Sequence, residues 1–185
     1  MKTNMFKALT LSLFVIFCQS AAALEPQHFD SVETMVEEFG DYSADNDTFK
    51  LISTSPLEVA FHPMVLSGEP ASSQLDSVNR AALYGVYRIF IHTNAKAVEV
   101  TASPLLHDLH TDTVKLLDSP VLRLKVTRDD ALAVAKDFIP VSDLSELVEP
   151  QKLGTMQLDG WVKPFAKLYA SEQGAEELVT ALKAR

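Results

Sequence analysis

The sequence predicts an α+β fold: a single domain with a small antiparallel or mixed sheet packed by a long helix, plus a helical C-terminal extension. Two observations lead to this class. Apolar and polar residues alternate at 98–103 and at 121–127, as they do in half-buried strands. Elsewhere, apolar residues recur every three or four positions, which is the pattern of a helix with one buried face.

The first 23 residues have the organisation of a secretory signal peptide. Basic residues precede an apolar run at 8–18, and the segment ends in small residues, including Ala21 and Ala23. The run is shorter than the roughly 20 residues that span a bilayer. Cys18 follows the bulky Phe17, which argues against lipid attachment. We therefore expect cleavage after Ala23 and export to the periplasm or the exterior, with a retained N-terminal anchor as the alternative.

Removal of this leader would leave a chain of 162 residues, 24–185, without cysteine, because Cys18 is the only one. Disulfides, thiol catalysis and cysteine metal sites are then excluded. The net charge would change from −9 to −11, since Lys2 and Lys7 are lost. A hydrophobic content of 47% is that of a folded chain. An acidic chain without a basic tract is a poor nucleic-acid binder.

A short amphipathic helix and a strand are predicted first. Apolar residues at i, i+3, i+4 and i+7 mark a helix within 30–40. Asp30 and Glu33 have capping-box spacing, and Gly40 is a natural stop. After a polar turn, residues 48–54 favour a strand.

The next two segments are predicted to be a strand and a long helix. Residues 57–67 read as a strand in which Pro63 must lie at an edge or a bulge. Residues 71–93 are ambiguous, because 84–92 taken alone also has strand propensity. We predict one long buried helix that continues to about His92.

Two further strands and a capped helix follow. The alternating segments described above favour strands at 96–104 and 121–127, whereas 105–118 is expected to be irregular or a short helix. Thr127 and Asp130 have capping-box spacing and begin the next helix.

The C-terminal part, 142–185, is predicted to be a helical extension of the single domain 24–185. Apolar and aromatic residues within 161–169 and 178–182 have helical spacing. No repeat and no low-complexity linker divides the chain.

The sharpest polar cluster is His107, His110 and Asp112. Histidines three positions apart can converge on one metal ion if they share a helical turn, and Asp112 could be a third ligand. A cluster of this composition is also typical of a solvated surface loop. The three residues are therefore candidate metal ligands, and no metal site is assigned to them.

An aromatic cluster with one cation lies in the predicted long helix at Tyr84, Tyr87 and Arg88. Aromatic side chains with a few polar groups line small-molecule pockets, so these residues are ligand-pocket candidates. The alternative is a helix packed on the sheet core, with Arg88 reaching the surface.

The negative charge is concentrated in the first third of the exported chain. Residues 24–76 contain 11 acidic residues and one basic residue, a net charge of −10. A face containing Glu33, Glu37 and Glu38 could bind a cationic partner. Solubility, or an intramolecular contact with the basic sheet face, would explain the same charge.

These observations favour a non-enzymatic domain that acts by protein–protein interaction with another exported or envelope protein. The sequence contains no G-x-S-x-G serine, Walker loop or G-x-G-x-x-G, so neither catalytic residues nor a cofactor are assigned. Two alternatives stay open: a binder of a small apolar ligand between the long helix and the sheet, and a metal-assisted hydrolase.

Overall fold

The structure is a computed structural model that describes residues 24–185, so the expected signal peptide lies outside the described residues. It confirms the α+β class, with a mixed sheet and one long helix. The elements follow one another in the order α1 (Val32–Phe39), β1 (Phe49–Thr54), β2 (Leu57–Phe61), β3 (Met64–Leu66), α2 (Ala71–His92), β4 (Ala97–Ala102), β5 (Leu105–Asp108), β6 (Thr113–Leu116), β7 (Leu122–Thr127), α3 (Arg128–Phe138), a 3₁₀ turn (Leu144–Leu147), β8 (Val148–Leu153), β9 (Met156–Trp161), α4 (Lys163–Ala170) and α5 (Glu172–Lys183).

Four strands form the central sheet, in the order β1-β2-β4-β7. The two outer pairs are antiparallel and the β2–β4 pair is parallel. A second sheet has the order β3-β5-β6. β3 follows β2 after Pro63, and β5 follows β4 after Pro104. Since proline cannot donate to a strand ladder, each chain segment is interrupted where it passes from one sheet to the other.

The long helix predicted over 71–93 is confirmed as α2, and every residue from 81 to 92 is buried. It packs on the central sheet on one side and on α5 on another. Gly85 allows this close approach, because a Cβ atom there would lie 2.7 Å from the Phe61 ring and 2.9 Å from Val100. Burial from several sides explains why 84–92 has no solvent-exposed face.

Two local predictions are corrected. Residues 105–118 were expected to be irregular or a short helix, but 105–116 form the antiparallel hairpin β5–β6. The N-cap of α1 is Ser31 rather than Asp30, and its hydroxyl accepts a hydrogen bond from the backbone N–H of Thr34 at 3.2 Å. By contrast, the Thr127 cap of α3 and the left-handed Gly40 after α1 are as predicted.

The C-terminal part contains a strand pair that the helical spacing did not predict. β8 and β9 pair antiparallel across a two-residue loop at Gly154-Thr155, and helices follow only from Lys163 onwards. The last helix, α5, packs against α2 and α3, and its residues Leu178 and Leu182 belong to the core. None of the helices within 24–185 is both long and apolar enough to cross a membrane.

Candidate functional site

An aromatic pocket of about 420 Å³ lies where the segment after α1, the middle of α2, the end of β9 and helix α4 meet. Its floor is a buried arginine, and its walls are tyrosine and tryptophan rings. One acidic side chain also lines it. The lining residues are Asp41, Tyr42, Tyr84, Arg88, Gly160, Trp161 and Tyr169.

Helical periodicity aligns the polar residues that α2 contributes. Tyr84, Arg88 and His92 are four residues apart and therefore lie on one face of the helix. The hairpin β8–β9 carries Asp159 and Trp161 to that face from the other end of the chain. The floor of the pocket is thus built from elements that are distant in sequence.

Arg88 is only 8% exposed, and several contacts fix the position of its guanidinium. Its Nη1 donates to the backbone carbonyl of Asp159 at 2.6 Å and approaches His92 Nε2 at 3.2 Å. The guanidinium carbon lies 3.9 Å from the centre of the Trp161 ring and 4.8 Å from that of Phe39. The cation is therefore enclosed by aromatic faces, with which it interacts favourably.

No carboxylate of residues 24–185 forms an ion pair with Arg88. Its Nε and the nearby hydroxyl of Tyr84 are buried without a hydrogen-bond partner among these residues. Burial lowers the pKa of Arg88, yet an arginine remains charged in proteins. The charges of Asp41 and Asp159 act against this shift, but neither forms an ion pair with Arg88, so the desolvation cost of the buried cation is offset only in part.

The phenol groups of the pocket stay protonated. Burial, with a smaller effect of the Asp41 charge, raises the pKa of Tyr84 and raises that of Tyr169 to about 12. Burial likewise raises the pKa of Tyr42. Protonated hydroxyls can donate hydrogen bonds, so the pocket presents donors around its guanidinium.

A neutral histidine, His92, accepts a hydrogen bond from the Arg88 guanidinium. His92 Nδ1 lies 2.8 Å from the carbonyl oxygen of Gln27 and donates to it, which leaves Nε2 free to accept from Arg88. Burial is the main reason that the pKa of His92 falls to about 4. The Asp159 carboxylate accepts from the Gln27 backbone N–H at 2.7 Å. These bonds tie the N-terminal segment to the hairpin and fix the orientation of the guanidinium.

Of the ligand-pocket candidates from the sequence, Tyr84 and Arg88 line this pocket. Tyr87 does not, because it turns to the core and packs against Phe165 with ring centres 4.9 Å apart. Spacing within α2 could not identify the partners Trp161 and Tyr169, which come from a distant hairpin and helix. The one sequence feature that points to these pocket residues is that Trp161 is the single tryptophan of the chain, and this feature is weak.

The histidine cluster is only partly assembled. His107 Nε2 lies 3.0 Å from Asp112 Oδ1 in the β5–β6 hairpin. His110 lies in the turn, where its backbone N–H donates to Asp108, and this contact lowers the pKa of Asp108. Within residues 24–185, no three His, Cys, Asp or Glu side chains are grouped closely enough to hold a metal ion.

The acidic candidates lie on α1. Glu37 and Glu38 are exposed, and Glu33 is half-buried at the edge of a separate pocket of about 500 Å³. None of the three forms an ion pair within the described chain. Lys125 lines the same pocket as Glu33, but the two are not paired. An acidic face for a cationic partner therefore stays a prediction.

The chain was compared with family models, curated proteins and solved structures, and none of them matches it. What defines the protein is therefore its α+β fold together with a pocket that has an arginine floor and aromatic walls.

Proposed function

We propose that this chain is a non-enzymatic exported binding domain that holds a small ligand by its carboxylate group in the Arg88 pocket. The observation that carries the proposal is a guanidinium, nine-tenths buried, without an ion-pair partner within residues 24–185. The pocket volume of about 420 Å³ is that of small-molecule sites.

One nitrogen of Arg88 is left to bind a carboxylate. Its Nη1 is used by Asp159 and His92, and no hydrogen bond to Nη2 is found within the described chain. A carboxylate oxygen can therefore accept a charge-assisted hydrogen bond from Nη2. Nε and the Tyr84 hydroxyl also lack a partner among residues 24–185, but both are buried and do not face the ligand directly.

The experiment measures the affinity of 3-phenylpropanoate and of its neutral amide by isothermal titration calorimetry. We expect the acid to bind at least ten-fold more tightly than the amide. Arg88→Met should weaken binding of the acid by about 10- to 100-fold, since a hydrogen bond to a charged group contributes about 1.5–3 kcal/mol. Tyr84→Phe should weaken it less, because the hydroxyl it removes is buried and has no partner among residues 24–185.

Arg128→Met is the matched control. Arg128 donates to the carbonyls of Ala95 and Thr93 and lies over the Phe90 ring, but it does not line the pocket. Its replacement should lower stability and leave binding unchanged. Equal affinity for acid and amide, no binding of the acid, or full binding by a folded Arg88→Met protein would contradict the proposal.

A second candidate function is contact with a second copy of this chain, and an apolar sheet face favours it. On one face of the second sheet, the register of β3, β5 and β6 aligns Met64, Leu105 and Leu116 in one row and Leu66, His107 and Val114 in the next. These rows contain no Lys, Arg, Asp or Glu. The one charged residue of β6, Lys115, lies on the opposite face, so two copies can pack through the apolar face without like charges at the contact, although the exported chain would have a net charge of −11. Side chains of this face that are 39–52% exposed are Met64, Leu66, Val114 and Leu116.

Light scattering after size exclusion, over a dilution series, tests this contact. We expect a dimer at high concentration that dissociates on dilution. Val114→Lys should give a monomer, because it places a charge on the apolar face beside the edge. Leu153→Lys, at a more exposed apolar position on another sheet, should still dimerise. A monomeric natural chain at every concentration would disprove the contact.

A further inference from the structure

The mouth of the Arg88 pocket carries a charge of the opposite sign. Asp41 lines the pocket, is exposed, and forms no ion pair within the described chain. It is close enough to raise the pKa values of Tyr42, Tyr84 and Tyr169 by its charge. A buried cation and an exposed anion thus border one small space, without pairing with each other.

We propose that the ligand is a zwitterion, an α-amino acid whose carboxylate binds Arg88 and whose ammonium group faces Asp41. This inference rests on the proposed function and adds the second charge to it. An ammonium at the mouth gives Asp41 the partner that the described chain does not supply. Because Asp41 is exposed, the ammonium keeps part of its hydration when the ligand is bound.

The same two charges argue against other ligand classes. A phosphate dianion would leave the pocket with two uncompensated negative charges, since the charges of Arg88 and Asp41 already sum to zero. A simple amine would be repelled by the buried guanidinium, whose charge is poorly screened. A zwitterion satisfies both groups and leaves the net charge of the pocket unchanged.

The walls of the Arg88 pocket indicate which kind of side chain the amino acid carries. The rings of Tyr42, Tyr84, Trp161 and Tyr169 line the pocket, and among residues 24–185 Arg88 and Asp41 are its only charged lining residues. Aromatic rings pack well against other rings and apolar groups. We therefore expect an amino acid with an aromatic or large apolar side chain.

Three ligands with the same ring and nearly the same length test the inference: L-phenylalanine, 3-phenylpropanoate and 2-phenylethylamine. Titration calorimetry with the exported chain should give the tightest binding for L-phenylalanine, about two- to five-fold weaker binding for 3-phenylpropanoate, and the weakest for the amine, on the scale of one exposed ion pair. Asp41→Asn should remove the advantage of L-phenylalanine over 3-phenylpropanoate. Asp45→Asn, an exposed acid in the same turn that does not line the pocket, should retain it.

The outcomes separate this inference from the proposed function. If 3-phenylpropanoate binds as tightly as L-phenylalanine, or if Asp41→Asn leaves their ratio unchanged, the zwitterion is wrong and the carboxylate site stands. If neither acid binds in a manner that depends on Arg88, both proposals fail. Asp41 is on the surface, so its asparagine variant should fold normally and give a clear result.

Discussion

Gly85→Val is expected to lower the free energy of unfolding by about 3 kcal/mol, the upper end of the usual cost of overpacking a core. A Cβ atom at this position would lie 2.7 Å from Phe61 Cε2 and 2.9 Å from Val100 Cγ1. Phe61 cannot move aside easily, because it is fully buried between Tyr42, Phe49 and Tyr84. The two further methyl groups of valine would force helix and sheet apart. Urea denaturation monitored by circular dichroism measures the loss.

Two companion variants separate the steric cause from helix propensity. Gly85→Ala should destabilise less, since alanine favours the helix by about 1 kcal/mol relative to glycine. Combining it with Phe61→Leu should cost less than the sum of the two single changes, because the smaller side chain makes room for the Cβ atom. Gly160→Ala, with open space around its Cβ position, is the neutral control. Additive costs at Gly85 and Phe61 would contradict this account of the contact.

Acidification from pH 7 to pH 4 should destabilise the domain by about 3 kcal/mol through His92 alone, from a pKa difference of about 2.5 at about 1.4 kcal/mol per unit. Burial lowers the pKa of His92 from 6.5 to about 4 in the folded chain. The unfolded state therefore takes up the proton first as the pH falls. The stability is present above pH 6.5 and is lost as the pH falls towards 4.

His92→Gln tests this linkage, since its amide oxygen can still accept from Arg88 but does not titrate. The variant should be less stable at pH 7 and should show a flatter dependence of unfolding free energy on pH between 7 and 4. His110→Gln, at an exposed position, should keep the slope of the natural chain. An unchanged slope in His92→Gln would show that His92 is not the titrating group.

Elements with strong local signals were predicted correctly. The stripe of apolar residues, with no turn residue except Gly85, identified α2, and the hydroxyl of Thr127 identified the start of α3. Strict alternation identified β7, whose residues are buried and exposed in turn. In each case the signal lies within the element itself, although β7 pairs with the distant β4 and α2 packs on the sheet and on α5.

The two hairpins were missed for different reasons. β5 and β6 have four residues each, and their turn contains no glycine but Asp112 with a φ of 51°. Such short strands show too little alternation to be recognised. The β8–β9 hairpin did have a signal, because Gly154-Thr155 is a two-residue Gly-x loop between strand-like segments. The helical spacing of Trp161 with Phe165 obscured it.

Local patterns were sufficient to predict the fold class, the long helix and two residues that line the pocket, Tyr84 and Arg88. They could not predict that Arg88 is buried without an ion-pair partner among residues 24–185, rather than reaching the surface. The physical reason is that its surroundings come from other parts of the chain: Trp161 covers the guanidinium, and the backbone carbonyl of Asp159 accepts a hydrogen bond from it. Periodicity reports which face of a helix is covered, whereas the charge of the covering group depends on which distant segment packs there.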